Sequence, residues 1–161
     1  MRRTAMLTTA LAVVAAALLY LRDPPWLVDY TTGMRGWQRA EDGAAFRWAG
    51  SHASFFVPAD AGHVLIPVST TFTDGDNQPM VVTITVDDER AARVLLQDAR
   101  WTDVTLTLPP KGNRRVRRVD VRTSRTRADY HGVRIREIKV SHDGADWRPC
   151  CFRPDEAWSR R

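Results

Sequence analysis

Val82-Thr83-Ile84-Thr85-Val86 decides how this chain is built. Three β-branched apolar residues alternate with two threonines, so one face of an extended strand is apolar and the other polar. The same period returns in Val64, Ile66 and Val68, set among His63, Leu65 and Pro67, and in Val104, Leu106 and Leu108, set among Thr105 and Thr107. In Val133, Ile135, Ile138 and Val140 the apolar parity switches after Ile135, which places a β-bulge at Arg136 or Glu137. Turn chemistry separates these runs: Asp60 to Gly62, Asp74 to Pro79, Asp87 with Asp88, Pro109 to Asn113, and Ser124 to Asp129. Beyond the N-terminus no helical periodicity appears. The expectation is an all-β, jelly-roll-like antiparallel β-sandwich.

The chain has 161 residues, enough for one domain with one core. Its 43% hydrophobic and 27% charged residues, with six tryptophans, exclude a disordered chain. The net charge of +5 comes from arginine, since Lys111 and Lys139 are the only lysines. Acidic residues are interspersed with the arginines along most of the chain, so no nucleic-acid partner is expected.

Arg2 and Arg3 precede an uncharged run, Thr4 to Leu21, which stops at Arg22, Asp23, Pro24 and Pro25. As a helix it would extend roughly 27 Å, about the thickness of a bilayer core. The reading is one N-terminal transmembrane helix, a single-pass signal anchor. By the positive-inside rule the N-terminus is cytoplasmic and the domain periplasmic or extracellular. Cleavage near Ala15, Ala16 and Ala17 is the rival, and it would leave an apolar Leu18-Leu19-Tyr20-Leu21 terminus. The expected division is 1–22 anchor, 23–30 juxtamembrane linker, 31–141 sandwich and 142–161 C-terminal tail.

Gly36-Trp37-Gln38-Arg39-Ala40-Glu41, then Phe46-Arg47-Trp48, then Asp129-Tyr130-His131-Gly132-Val133-Arg134, together carry a resemblance. From about Tyr30 to Ser141 the chain resembles galactose-binding-like β-sandwich domains of the carbohydrate-binding-module type, found in bacterial cell-envelope glycan proteins. In that pattern an acidic residue followed by Leu-Gly-Val opens the last strand; here His131 replaces the leucine. The resemblance implies a sandwich and makes the opening segment and the final strand neighbours.

Trp37, Trp48 and Trp101 are candidates to stack on sugar rings, because an aromatic face packs against the C–H face of a pyranose. Core packing is the competing role for each. Trp37 is the preferred ligand contact, since Gly33, Gly36, Arg39, Glu41 and Asp42 around it suit a loop. Glu41, Arg47, Asp129 and Arg134 complete the candidate ligand-binding set, with carboxylates accepting from hydroxyls and guanidinium groups donating. Arg47 with Asp129 has a second reading, an ion pair fastening neighbouring strands.

Asp74, Asp76 and Asn77 offer oxygen ligands for calcium, but Asp-Gly is first a turn signal. His52, His63, His131 and His142 lack zinc spacing, so no metal or other cofactor is assigned. Cys150 and Cys151 are adjacent and can close only a strained eight-membered ring, bridge to another chain, or remain thiols. No nucleophile elbow, phosphate loop or metalloprotease helix is present, and no catalytic residue is named. The expected role is a membrane-anchored, non-catalytic module that binds an envelope carbohydrate or assists glycan assembly. The alternative is a structural or protein-interaction subunit with a membrane protein partner and no sugar site. An envelope hydrolase is a third reading and would require a pocket with two close carboxylates.

Overall fold

The computed structural model describes residues 2–40, 42–72, 79–109, 112, 114–127 and 131–151. Glu41, Asp74, Asp76, Asn77 and Asp129 lie outside the described residues.

Helix α1 runs from Arg2–Arg22 and a 3-10 turn from Pro25–Asp29. The apolar side chains of α1 do not segregate to one side, and Met6, Leu11, Val13, Val14 and Leu18 are all exposed. Among the described residues no helix is long and apolar enough to cross a membrane, so the structure does not supply the transmembrane span expected from composition. The 3-10 turn does not hang free as a spacer. It packs on the sheet, with Val28 against the core.

Among the described residues ten antiparallel strands follow: β1 (Thr31–Arg39), β2 (Ala45–Pro58), β3 (His63–Thr70), β4 (Met80–Val86), β5 (Glu89–Leu96), β6 (Thr102–Thr107), β7 (Val116–Thr123), β8 (Val133–Arg136), β9 (Ile138–Ser141) and β10 (Arg148–Cys150). The long β2 organises them. Its first part, Phe46 to Ala49, pairs with β8, and its second, His52 to Pro58, pairs with β7. The sheet therefore forks at Gly50 into two leaves. One continues through β7, β4 and β5; the other through β8 and β9 to β3 and β6, with β10 added at the edge of β9.

Gly132 and Thr123 close the fork. Gly132 N donates to Ala49 O at 2.9 Å, and the Thr123 hydroxyl donates to Gly50 O at 3.3 Å. A Cβ on Gly132 would lie 2.8 Å from Gly50 O, so no side chain fits there. Strand β1 follows β2 around its bend by skipping register at Gly33, whose φ of +67° is open to glycine at little cost.

The leaves close on one core. Val64, Ile66, Val68, Val104, Leu106 and Leu108 meet Val82, Ile84, Val86, Val119 and Val121. Each alternating run thus turns its apolar side inward, with burial worth about 1.5–3 kcal/mol per large aliphatic side chain. The parity switch is also realised. Leu65 faces Lys139 while Val68 faces Ile135, so residues 66 and 67 oppose 136, 137 and 138. That one-residue bulge turns both Ile135 and Ile138 into the core.

Asp87 and Asp88 make the β4–β5 hairpin as a two-residue turn, both at positive φ (51° and 72°), a conformation aspartate tolerates. The sheet runs on past Ser141 into β10, where Cys150 and Cys151 are joined by a disulfide and buried against the core.

Candidate functional site

Successive residues of a strand point to opposite faces, and this separates the aromatic and arginine residues that the sequence grouped. Trp37 lies directly across from Arg47, and Trp48 directly across from Arg134. Arg47 and Trp48 are neighbours in β2, so Trp37 with Arg47 occupies one face and Trp48 with Arg134 the other. The four do not form one site.

Trp37 stands on strand β1 and not on a loop. Gly33 and Gly36 supply the register shifts that let a glycine-rich, polar segment pair as a strand. Its ring is partly buried against the core, with the Arg47 guanidinium 5.9 Å from its centroid. Arg47 is itself half-buried: Nε donates to Arg35 O at 2.5 Å, Nη1 to Thr31 Oγ1 at 3.0 Å and Nη2 to Met34 O at 3.4 Å. Burial lowers its pKa from the ordinary value. Three bonds to one strand make Arg47 the fastener of β1.

Trp48 is buried, at 8% exposure. His131 covers it as a parallel stack at 4.4 Å, Phe46 meets it edge-on at 5.8 Å, and its indole N–H donates to Gln38 Oε1 at 3.2 Å. A sugar has no access to that ring. His131, which stands where the resembled pattern has leucine, lies flat over the ring.

Arg134 spans to the loop between β5 and β6. Its Nη2 donates to Ser69 Oγ at 2.7 Å and to Ala99 O at 3.2 Å, which pins the segment that carries Trp101. Its guanidinium lies 5.2 Å from the Trp101 ring and 5.7 Å from Phe46. Arg134 therefore positions an aromatic residue.

This face carries a cleft of about 420 Å³ beside Trp101. Ala45, Leu65 and Pro67 give it an apolar shelf, and Asp103, Arg136, Glu137 and Lys139 line it with charge. Strand register explains the assembly. Leu65 faces Thr105 and Lys139 across the sheet, Pro67 faces Asp103, and Phe46 faces Arg136, so residues of five strands converge. The bulge swings Glu137 into the same rim.

Arg136 lies over Trp101 at 4.0 Å and pairs with Asp42, while its buried Nε has no hydrogen-bond partner among the described residues. Asp42 is held below the usual carboxylate range by the Ala44 backbone N–H and by Arg136. Of this rim the sequence singled out Trp101 alone. Arg136, Lys139, Glu137 and Asp103 were missed because only pairing across strands brings them together; the parity switch at Arg136 was the available signal.

The outer face of the other leaf holds a contrasting cluster. Buried Asp120 accepts from Ser54 Oγ at 2.5 Å and from Arg118 Nε at 2.9 Å, and contacts His52 Nε2 at 3.0 Å. Burial alone would raise its pKa, but the bonds from Ser54, His52 and Arg118 outweigh that and lower it. Serine, histidine and aspartate meet here without the geometry of a nucleophile relay. One nitrogen, His52 Nε2, faces both partners, and Ser54 gives its proton directly to the carboxylate; a relay needs the imidazole between them.

Among the described residues no grouping of histidine, cysteine, aspartate or glutamate could hold a metal ion.

No protein-family model and no curated protein sequence matches the chain. Among solved structures it is similar to a family 6 carbohydrate-binding module, at 8% identity and a TM-score of 0.44 over 71% of this chain and 87% of that one. It is similar also to a carbohydrate-binding module from Clostridium stercorarium in complex with cellobiose, at 11% identity and 0.42 over 71% and 87%. A family two carbohydrate esterase from Cellvibrio japonicus matches at 15% identity and 0.46, over 75% of this chain and 32% of the enzyme.

Proposed function

We propose that this chain is a non-catalytic envelope module that binds a carbohydrate in the Trp101 cleft and is held at a membrane by α1, with the sandwich on the outer side. The observation that carries the sugar reading is the cleft's amphiphilic lining. An apolar shelf of Leu65 and Pro67 suits the C–H face of a pyranose, while Asp103, Glu137 and Lys139 can bond its hydroxyls. Two carboxylates and two cations line the cleft, a balance that suits a neutral, hydroxyl-rich ligand over a strongly charged one. Membrane attachment is supported by α1, whose apolar side chains are exposed around its circumference and need a cover.

A glycan array probed with the detergent-solubilised full chain, beside Trp101→Ala and Trp37→Ala, tests the sugar reading. Saturable binding should vanish in folded Trp101→Ala and persist in folded Trp37→Ala, with circular dichroism establishing the fold of each. Silence across all glycans would favour the second reading, an interaction subunit of a membrane complex, for which the exposed α1 and exposed Leu95 would be contact surfaces. Service within a glycan-assembling system is part of the same proposal.

A further inference from the structure

Between α1 and β1 the chain has only eight residues, and they are not a tether. Asp23 is 4% exposed, and Arg114 Nε donates to both of its oxygens, at 2.9 and 2.8 Å. Pro24 is buried, Val28 packs against the core, and Arg47 Nη1 holds Thr31 directly after the segment. A charge as buried as Asp23 is tolerable only with its partner in place, so the start of the segment is locked to the loop before β7.

The same segment leaves two large aromatics outside. Trp26 is 56% and Tyr30 50% exposed, and they meet edge to face at 6.2 Å. They follow directly on α1, where Leu18 and Tyr20 are exposed too. Rings with an apolar body and a polar tip partition to the headgroup level of a bilayer.

We infer that the sandwich is seated on the lipid–water interface in a fixed pose, with Trp26 and Tyr30 in the headgroup zone and the Asp23–Arg114 bridge as the lock. This rests on the membrane attachment proposed above. A locked seat holds the Trp101 cleft at one orientation to the membrane, where a flexible tether would let it sweep a volume.

The test uses the full chain in phosphatidylcholine vesicles. Flotation comes first, since a chain that stays with the soluble fraction overturns the attachment reading itself. With flotation established, brominated phosphatidylcholine should quench part of the tryptophan emission, and that part should be lost in Trp26→Phe. Arg114→Gln should still float, while the backbone amides of residues 26–30 exchange at least tenfold faster. The swapped pair Asp23→Arg with Arg114→Asp should restore slow exchange and thereby exclude general misfolding. Equal quenching in wild type and Trp26→Phe, or unchanged exchange in floating Arg114→Gln, would overturn the seat.

Discussion

The two leaves share one core and one fork, yet their outer faces are built in opposite ways. On the β7–β4–β5 leaf every bond of Asp120 is directed inward: hydroxyl, imidazole and guanidinium converge on one buried carboxylate. Arg118 continues the chain of charge to Asp88. On the β8–β3–β6 leaf the charges ring an open cleft beside an aromatic ring, and Arg136 keeps a donor without a protein acceptor among the described residues. A saturated network stabilises and leaves nothing for a ligand; an amphiphilic hollow does the reverse.

The contrast breaks most readily at Asp120. Asp120→Ala leaves Arg118, His52 and Ser54 without their common acceptor, and should lower the unfolding free energy by roughly 3–5 kcal/mol in urea denaturation. A loss below about 0.5 kcal/mol, the size of an ordinary surface change, would show that this face is not a structural lock. Next is the fork that separates the leaves. Gly132→Ala forces a Cβ against Gly50 O and Thr123 Oγ1, and should cost about 1–3 kcal/mol in thermal or chemical unfolding.

On the open face the change should appear in binding more than in stability. Trp101→Ala should weaken a glycan ligand at least tenfold, about 1.4 kcal/mol, as read by isothermal titration. Arg134→Gln should weaken it less, through release of the loop at Ala99 and Ser69, and its effect should disappear in a Trp101→Ala background.

The smallest effect is acid sensitivity. Asp120 is held below the ordinary carboxylate pKa, and Asp143 is lowered to about 2 by the Ala145 and Asp146 backbone N–H groups and the Ser141 hydroxyl. Both pKa values are lower folded than unfolded. Their contribution is therefore complete above about pH 4 and is lost as pH falls from there toward the folded values. Asp143→Asn and Asp120→Asn should each flatten the acid limb of a pH–stability curve slightly.

The core strands were legible because alternation is a local signal. Val64, Ile66, Val68, Val82, Ile84, Val86, Val104, Leu106 and Leu108 all face inward as their period requires. The bulge was legible for the same reason. The candidate site was hardly legible. Trp37 read as a loop residue because its glycines look like turn signals, whereas two register shifts place them in β1. Trp48 and Arg47 stood in one candidate ligand-binding set, whereas adjacency in a strand puts them on opposite faces.

By itself the sequence determined that the chain is antiparallel β, that its alternating valine, isoleucine and leucine runs face the core, and where the last long strand must bulge, since each follows from a two-residue period and local turn chemistry. Only the tertiary structure decided which outer face carries a cleft and which a closed network. Side chains from β2, β3, β6, β8 and β9 converge through strand order and register, and those arise from pairings between segments tens of residues apart, which no local pattern encodes.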